Sequence, residues 1–182
     1  LVGPDGAGKT TALRLFAGLL TPTAGAVQVY TREGGRTERA KRASASADRR
    51  SATKAPSSPS ARKESIGYMP QQYSLYGDLS IDENLRFFAR MFGLSRARFR
   101  ARRERLLELT RLANFGARRA DALSGGMYKK LALACSLLPE PSLLLLDEPT
   151  NGVDPVSRRE LWQLLFELCG EGTAVLISTA YM

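Results

Sequence analysis

Histidine is absent from the 182 residues. That excludes zinc sites built on imidazole, Ser-His and Cys-His nucleophiles, and any histidine pH switch. Cysteine is scarce: Cys135 and Cys169 are too few for a disulfide framework, and both fall in apolar helical contexts. Inert thiols in a reduced, intracellular protein are the expectation. Long apolar runs are lacking too. The longest candidate, Leu131 to Leu146, is interrupted by Pro139, Glu140 and Pro141. It falls short of the roughly 18–20 residues that cross a bilayer. The chain starts at Leu1 rather than Met and ends within a strand-like run, as a fragment would, so a missing leader carries no information.

What is present suits a globular domain: 43% of residues are apolar and 25% charged. Lys and Arg exceed Asp and Glu by 27 to 18, a net charge of +9. Such an excess nominates nucleic acid, anionic lipid or phosphate-rich ligands. The charge is uneven, however. Residues 31–64 carry ten basic and four acidic side chains, without one aromatic, Leu, Ile, Val or Met. That stretch cannot bury enough apolar area to offset its ordering entropy and reads as a disordered basic insertion. Residues 96–119 hold nine arginines and two glutamates, and the remainder of the chain holds eight basic and twelve acidic side chains, a net of −4. The basic excess therefore describes an insertion and one helical region, and nucleic acid is not an expected partner.

Periodicity and caps outline the rest. Leu1–Val2 reads as the end of a strand, followed by a glycine-rich loop and a helix from Lys9 to Leu20 stopped by Thr21-Pro22. Ala26–Tyr30 and Ile66–Met69 alternate like short strands. Ser80-x-x-Glu83 is a capping box, with Leu85, Phe88, Ala89 and Phe92 at helical spacing behind it. A second helix is expected over Ser95–Leu112, with Phe99, Leu106, Leu109 and Leu112 as its buried side, and a third over Ser124–Leu138. Leu143–Leu146 has the continuous apolar character of a parallel strand covered on both faces. Asp154-Pro155 starts a helix whose buried stripe is Leu161, Leu164, Leu165 and Leu168; Gly170 and Gly172 end it before a strand at Ala174–Ser178. The fold class is α/β, with a mostly parallel sheet core and an inserted helical subdomain. The expected divisions are 1–30 and 65–78 for the first parts of the core, 31–64 for the insertion, 79–140 for the helical subdomain and 141–182 for the remaining core.

Three motifs carry chemistry. Gly3-Pro4-Asp5-Gly6-Ala7-Gly8-Lys9-Thr10 fits G-x-x-x-x-G-K-[ST] after a strand and before a helix, the context of a phosphate-binding P-loop. Glycines let backbone N–H groups turn toward phosphates, and the helix N-terminus adds a favourable dipole. Lys9 would meet the β- and γ-phosphates, Thr10 would face Mg²⁺, and Thr11 continues the phosphate-facing turn. Asp147 and Glu148 stand at the C-terminal end of a buried strand, where ligands sit in open α/β sheets. Asp147 can hold Mg²⁺, and Glu148 can polarise an attacking water. Ser124-Gly125-Gly126-Met127 opens a helix with a hydroxyl and two unobstructed amides, a second anion cradle that needs a phosphate of its own.

In this order, these motifs resemble the P-loop NTPases of the ATP-binding cassette (ABC) class: P-loop, an LSGGQ-like run at Leu123–Met127, and Leu143–Thr150 as Walker B with its following Pro-Thr. The wording Ile66-Gly-Tyr-Met-Pro-Gln71, Leu75-Tyr76-x-Asp78-Leu79 and Glu83-Asn84-Leu85 is similar to exporter-type cassettes of ABC-2 and multidrug systems. The resemblance implies an ATPase using ATP and Mg²⁺, paired head-to-tail with a second cassette and driving a transmembrane permease from the cytoplasmic face of the membrane. It implies that Gln71 (or Gln72, if the register shifts by one) touches Mg²⁺ and water, and that Asn151–Asp154 crosses the dimer interface. Three departures stand out. Met127 replaces the signature glutamine, residues 31–64 enlarge a usually shorter connection, and Ala180 occupies the position of the family's switch histidine. Alanine cannot donate to a γ-phosphate, so reduced turnover is expected there. The other functions compatible with the sequence are a soluble ABC ATPase acting on ribosomes or nucleic acid, and a hydrolysis-impaired regulatory cassette.

Overall fold

The computed structural model describes residues 1–27, 29, 66–72 and 74–180; the insertion expected at 31–64 lies outside them. Five helices and three strands are ordered along the described chain: α1 (Lys9–Phe16), β1 (Ile66–Met69), α2 (Ile81–Met91), α3 (Arg96–Leu109), α4 (Gly125–Leu137), β2 (Leu143–Asp147), α5 (Pro155–Gly170) and β3 (Ala174–Ser178). The strands lie in the order β1-β2-β3, every pair parallel. Val2 adds a parallel bridge to Thr179, so the chain entering the P-loop runs beside β3 in the same direction. The architecture is the α/β fold that the sequence implies.

Alternation along β2 divides the core. Leu144 and Leu146 face a large cluster with leucines of α2, α4 and α5, whereas Leu145 faces Leu13 of α1 and Ala17 just after it. Successive side chains of a strand point to opposite faces, so only a strand covered on both sides needs the unbroken run Leu143–Leu146. Each fully buried leucine contributes about 1.5–3 kcal/mol of transfer free energy. The expected stripe of α5, Leu161, Leu164, Leu165 and Leu168, is buried in full.

Caps mark the helix starts as their chemistry demands. Ser80 and Glu83 form a reciprocal capping box, Ser95 accepts from Arg98 N–H, and Asp154 accepts from Val156 and Ser157 N–H. These amide contacts hold the Asp154 carboxyl below its ordinary value.

Several boundaries differ from the sequence expectation. α1 stops at Phe16, not Leu20, because Gly18 adopts a left-handed φ of 66° and the amides of Leu19 and Leu20 turn back to Arg14 O. α3 ends at Leu109, where Thr110 caps it and Arg111 takes φ 59°. Its buried side chains are Leu106 and Leu107; Leu112 is buried beyond the helix, while Phe99 and Leu109 are partly covered. Of the anticipated α2 stripe, Leu85 and Ala89 are buried, Phe88 is partly covered, and Phe92 is exposed. The strand expected over Ala26–Tyr30 is not present at Ala26, Val27 or Val29, and Gln28 and Tyr30 lie outside the described residues. Cys135 is buried, which pushes its thiol well above the ordinary range, but Cys169 is exposed.

The helices α2 and α3 are inserted between β1 and the α4–β2 segment. A bidentate pair joins them: Arg103 Nε and Nη2 donate to Asp82 Oδ1 at 2.9 and 2.6 Å, and Nη2 also reaches Oδ2 at 2.7 Å.

Candidate functional site

Because all strands are parallel, the residues after β1, β2, β3 and Val2 emerge at one edge of the sheet. A cleft of about 450 Å³ opens there, lined by Asp5, Gly6, Ala7, Gly8, Lys9, Thr10, Thr11, Gln71, Glu148, Asn151 and Ala180. Of the two glutamines following β1, Gln71 lines this cleft and Gln72 points to solvent.

The loop from Gly3 to Gly8 is bent by left-handed glycines, Gly6 at φ 81° and Gly8 at φ 83°. Side chains other than glycine rarely adopt that region. α1 has Gly8 at its N-cap and no side-chain cap, unlike α2, α3, α4 and α5, whose caps are Ser or Asp. Its first-turn N–H groups are thus available to an external anion. Lys9 folds over the loop, donating to Gly3 O at 2.7 Å and Pro4 O at 3.0 Å. Its ammonium also lies 3.7 Å from Glu148 Oε1 and 3.9 Å from Asp5 Oδ1.

Of the acid pair at the end of β2, Glu148 lines the cleft and Asp147 does not. Asp147 is 1% exposed and Glu148 8% exposed. Ser178 Oγ donates to Asp147 Oδ1 at 2.6 Å, and Glu148 N–H donates to Ser178 O at 3.1 Å. Asp147 Oδ2 and Glu148 Oε1 are buried without a hydrogen-bond partner. A buried carboxylate oxygen left unpaired is costly, and bound ligand or cation is the usual compensation. Glu148 is also held at φ 49°, a strained conformation for a non-glycine residue.

The anion cradle at α4 lies elsewhere. Ser124, Gly125 and Gly126 do not line the cleft that contains Lys9. Ser124 caps α4 through Met127 N–H at 3.3 Å. The glycines have a packing reason besides amide access. A Cβ at Gly126 would overlap Cβ and Oγ of Ser157, and one at Gly125 would stand 3.0 Å from Gly152 O. The cradle is therefore pressed against the Asn151–Asp154 turn and the start of α5.

Residues 1–151 match the family described as ABC transporter. The chain belongs to that family. It is 45% identical over 182 residues to "Probable multidrug ABC transporter ATP-binding protein YbhF" of Escherichia coli (strain K12), covering all of this chain and 28% of the relative. It is 40% identical to "Nod factor export ATP-binding protein I" of Cupriavidus pinatubonensis, covering all of this chain and 50% of that protein. The chain thus spans from about a quarter to half the length of these curated relatives. Among solved structures, an ATP-binding subunit of an ABC transporter superposes with TM-score 0.70 at 29% identity, over 98% of this chain and 67% of the other. A dimeric ATP-binding cassette in a post-hydrolysis state, bound to ADP and Pi, superposes with TM-score 0.71 at 26% identity, over 98% and 72% of the two chains.

Three positions in this cassette escaped the sequence reading. Ser178 joins both acids to the neighbouring strand; a serine closing an otherwise apolar strand was the available signal. Asn84 is fully buried and clasps the segment after Gln71: Nδ2 donates to Tyr76 O, Leu79 O and Ser80 O at 3.0–3.1 Å, and Oδ1 accepts from Tyr76 N–H at 2.9 Å. Lys129 is buried in α4 and donates to Gln71 O at 2.7 Å. Burial lowers the pKa of its ammonium, while the charges of Asp147 and Glu148 oppose that shift. Two adjacent lysines inside an otherwise apolar helix were the clue to it.

Proposed function

We propose that this chain is the ATP-hydrolysing cassette of an ABC exporter, working as one of a head-to-tail pair. The observation that carries the reading is the cleft in which uncapped α1 amides and Lys9 confront the buried Glu148, next to Asp147, each acid with an oxygen lacking a hydrogen-bond partner. Gly3–Thr11 would wrap the phosphates through backbone N–H groups, with the Lys9 ammonium moving from its own loop carbonyls onto the β- and γ-oxygens. Glu148 would take a proton from the attacking water, its carboxylate already beside the site. Mg²⁺, when bound, would neutralise charge on the transferring phosphoryl group. Thr10, Gln71 and Asp147 are the residues that would hold it, and the orphaned Asp147 Oδ2 fits that need. Among the described residues no group of three or more His, Cys, Asp or Glu forms a protein cage, which suits an ion held largely by phosphates and water.

The separate cradle at Ser124–Gly126 supports the pairing. It has the chemistry to take a phosphate, yet the Lys9 cleft lies apart from it, so a second cassette's nucleotide is its natural ligand. Closure of two such interfaces on ATP, and their opening after hydrolysis, would drive the permease. The permease contact would fall on the exposed Tyr76, Phe87, Met91 and Phe92, just beyond the Gln71 segment. Tyr76 and Phe87 meet edge-to-face with centroids 4.6 Å apart, an organised apolar surface. No helix among the described residues is long and apolar enough to cross a membrane; contact with the permease would hold the cassette at the cytoplasmic face.

Ala180 lines the cleft where a donor to the γ-phosphate would stand, and its methyl group cannot serve. In the intact protein, Glu148→Gln should retain ATP binding and abolish turnover, whereas Lys9→Ala should lose binding. Turnover by Glu148→Gln at the unsubstituted rate would overturn the reading. Ala180→His should raise turnover; no gain, with Glu148→Gln still inactive, would defeat a rate limit at this position. Ala180 also favours a second reading, a regulatory cassette that binds ATP and depends on a partner's competent site. Single-turnover hydrolysis in the assembled complex separates the two.

A further inference from the structure

We propose that Lys129 is a positioning residue that ties the Gln71 backbone to the helix carrying the Ser124 cradle, so that the cleft and the cradle move together. The inference rests on the ATPase reading of the cleft.

The geometry is specific. Lys129 lies on α4, five residues beyond Ser124, and its side chain crosses to the end of β1, where Nζ donates to Gln71 O at 2.7 Å. Gln71 itself lines the cleft with Lys9, Thr10 and Glu148. The neighbouring Lys130 points the other way and pairs with Glu160 of α5. Successive lysines of one helix thus anchor it to two different parts of the core. Lys130 has an ordinary ion-pair partner, whereas Lys129 grips a backbone carbonyl beside the acids.

A buried ammonium needs compensation. Asp147 and Glu148 supply it electrostatically. Lys9 stands beside one of these acids, 3.7 Å from Glu148 Oε1. The acid pair is therefore flanked by two lysines of different duty. Lys9 belongs to a loop that would release it to phosphate. Lys129 is fixed on a helix, and its hydrogen bond is to main chain, which no side-chain rotation of Gln71 can break. A shift of α4 caused by a ligand at Ser124–Gly126 would be transmitted through this strut to the residue lining the opposite site. Groups that orient a ligating residue in this way typically change metal affinity or activity by about 10–100-fold when removed.

The test compares Lys129→Met, which keeps the length and removes the donor, with Lys129→Arg, which keeps donor and charge, in the intact protein. Hydrogen exchange is followed without nucleotide, alongside nucleotide affinity in EDTA and the Mg²⁺ dependence of hydrolysis. Lys129→Met should accelerate exchange in the 70–75 segment but not in β2, and leave metal-free ATP affinity unaltered. It should also lower kcat and raise the Mg²⁺ concentration for half-maximal rate, each about tenfold. Lys129→Arg should restore most of both. Unchanged exchange at 70–75 with unchanged Mg²⁺ dependence would overturn the proposal. So would exchange accelerated evenly along α4 with equal loss of metal-free binding, the pattern of mere packing. An unsubstituted protein that neither binds nor hydrolyses ATP would defeat the ATPase reading instead, and the exchange experiment would still decide whether the tie exists.

Discussion

Ser178 donates its hydroxyl to Asp147 Oδ1 at 2.6 Å across paired positions of β2 and β3, and the same residue accepts the Glu148 amide through both its carbonyl and its hydroxyl oxygen. One side chain therefore orients the first acid and holds the backbone of the second. With Oδ1 engaged, Asp147 Oδ2 stays buried without a hydrogen-bond partner.

Ser178→Ala should cost about 1–3 kcal/mol of stability, since a buried hydrogen bond to a carboxylate is lost and its acceptor stays buried. Divalent-cation affinity should fall as well, because Asp147 is then free to rotate. Denaturant unfolding and a Mn²⁺ titration read the two effects. A variant with unaltered cation affinity would show that Ser178 merely fills space.

The left-handed φ of 49° at Glu148 sets stability against function. Glu148→Gly should stabilise the fold by about 1 kcal/mol, the strain of that conformation for an L-residue, while eliminating hydrolysis. A lower unfolding midpoint for Glu148→Gly than for Glu148→Gln would contradict the strain argument.

Gly126 abuts Ser157 so closely that a Cβ has no room. Gly126→Ala should destabilise by about 1–3 kcal/mol through overpacking. Adding Ser157→Gly should recover much of that loss, giving a coupling of about 1 kcal/mol or more in a double-mutant cycle. Additive effects would mean that α4 relieves the clash by shifting as a body.

Acid sensitivity should be traceable to Glu160. Its hydrogen bond from Lys130, aided by the nearby Arg111 charge, holds the carboxyl below the ordinary value of 4.5. A depressed folded-state pKa stabilises the protein above the unfolded-state value, and that stability is lost as pH falls through the folded-state value. Glu160→Gln should therefore be less stable than the unsubstituted chain near neutrality, with the gap narrowing as pH drops below about 4.5. Denaturant midpoints across that range check the sign; a constant gap would assign the loss to packing.

Local signals in this chain are legible where one interaction dominates. Ser80 and Glu83 satisfy each other within four residues, and Asp154-Pro155 starts α5 in the same self-contained way. The end of α1 is not legible from Pro22, the stronger stop signal in the sequence, because Gly18 turns the chain before it. At α2, helical spacing alone could not separate buried Leu85 from exposed Phe92, since periodicity identifies a face but not what covers it.

By itself, the sequence determined the family, the P-loop with its glycines, the adjacent acids and the absence of histidine. These are short-range patterns of residue type and spacing, and their chemistry is written in a few consecutive positions. Only the tertiary structure decided that Gln71 rather than Gln72 faces the cleft, that Ser178 orients Asp147, and that Lys129 reaches across to Gln71. Those relationships join residues 31 and 58 positions apart along the chain, or depend on which way a loop turns after a strand. They follow from strand register and helix packing, which are settled only when the whole sheet and its covering helices assemble. Ala180 belongs to both levels: the lack of histidine is visible in the composition, but that Ala180 borders the same cleft as Lys9 and Glu148 is a fact of the fold.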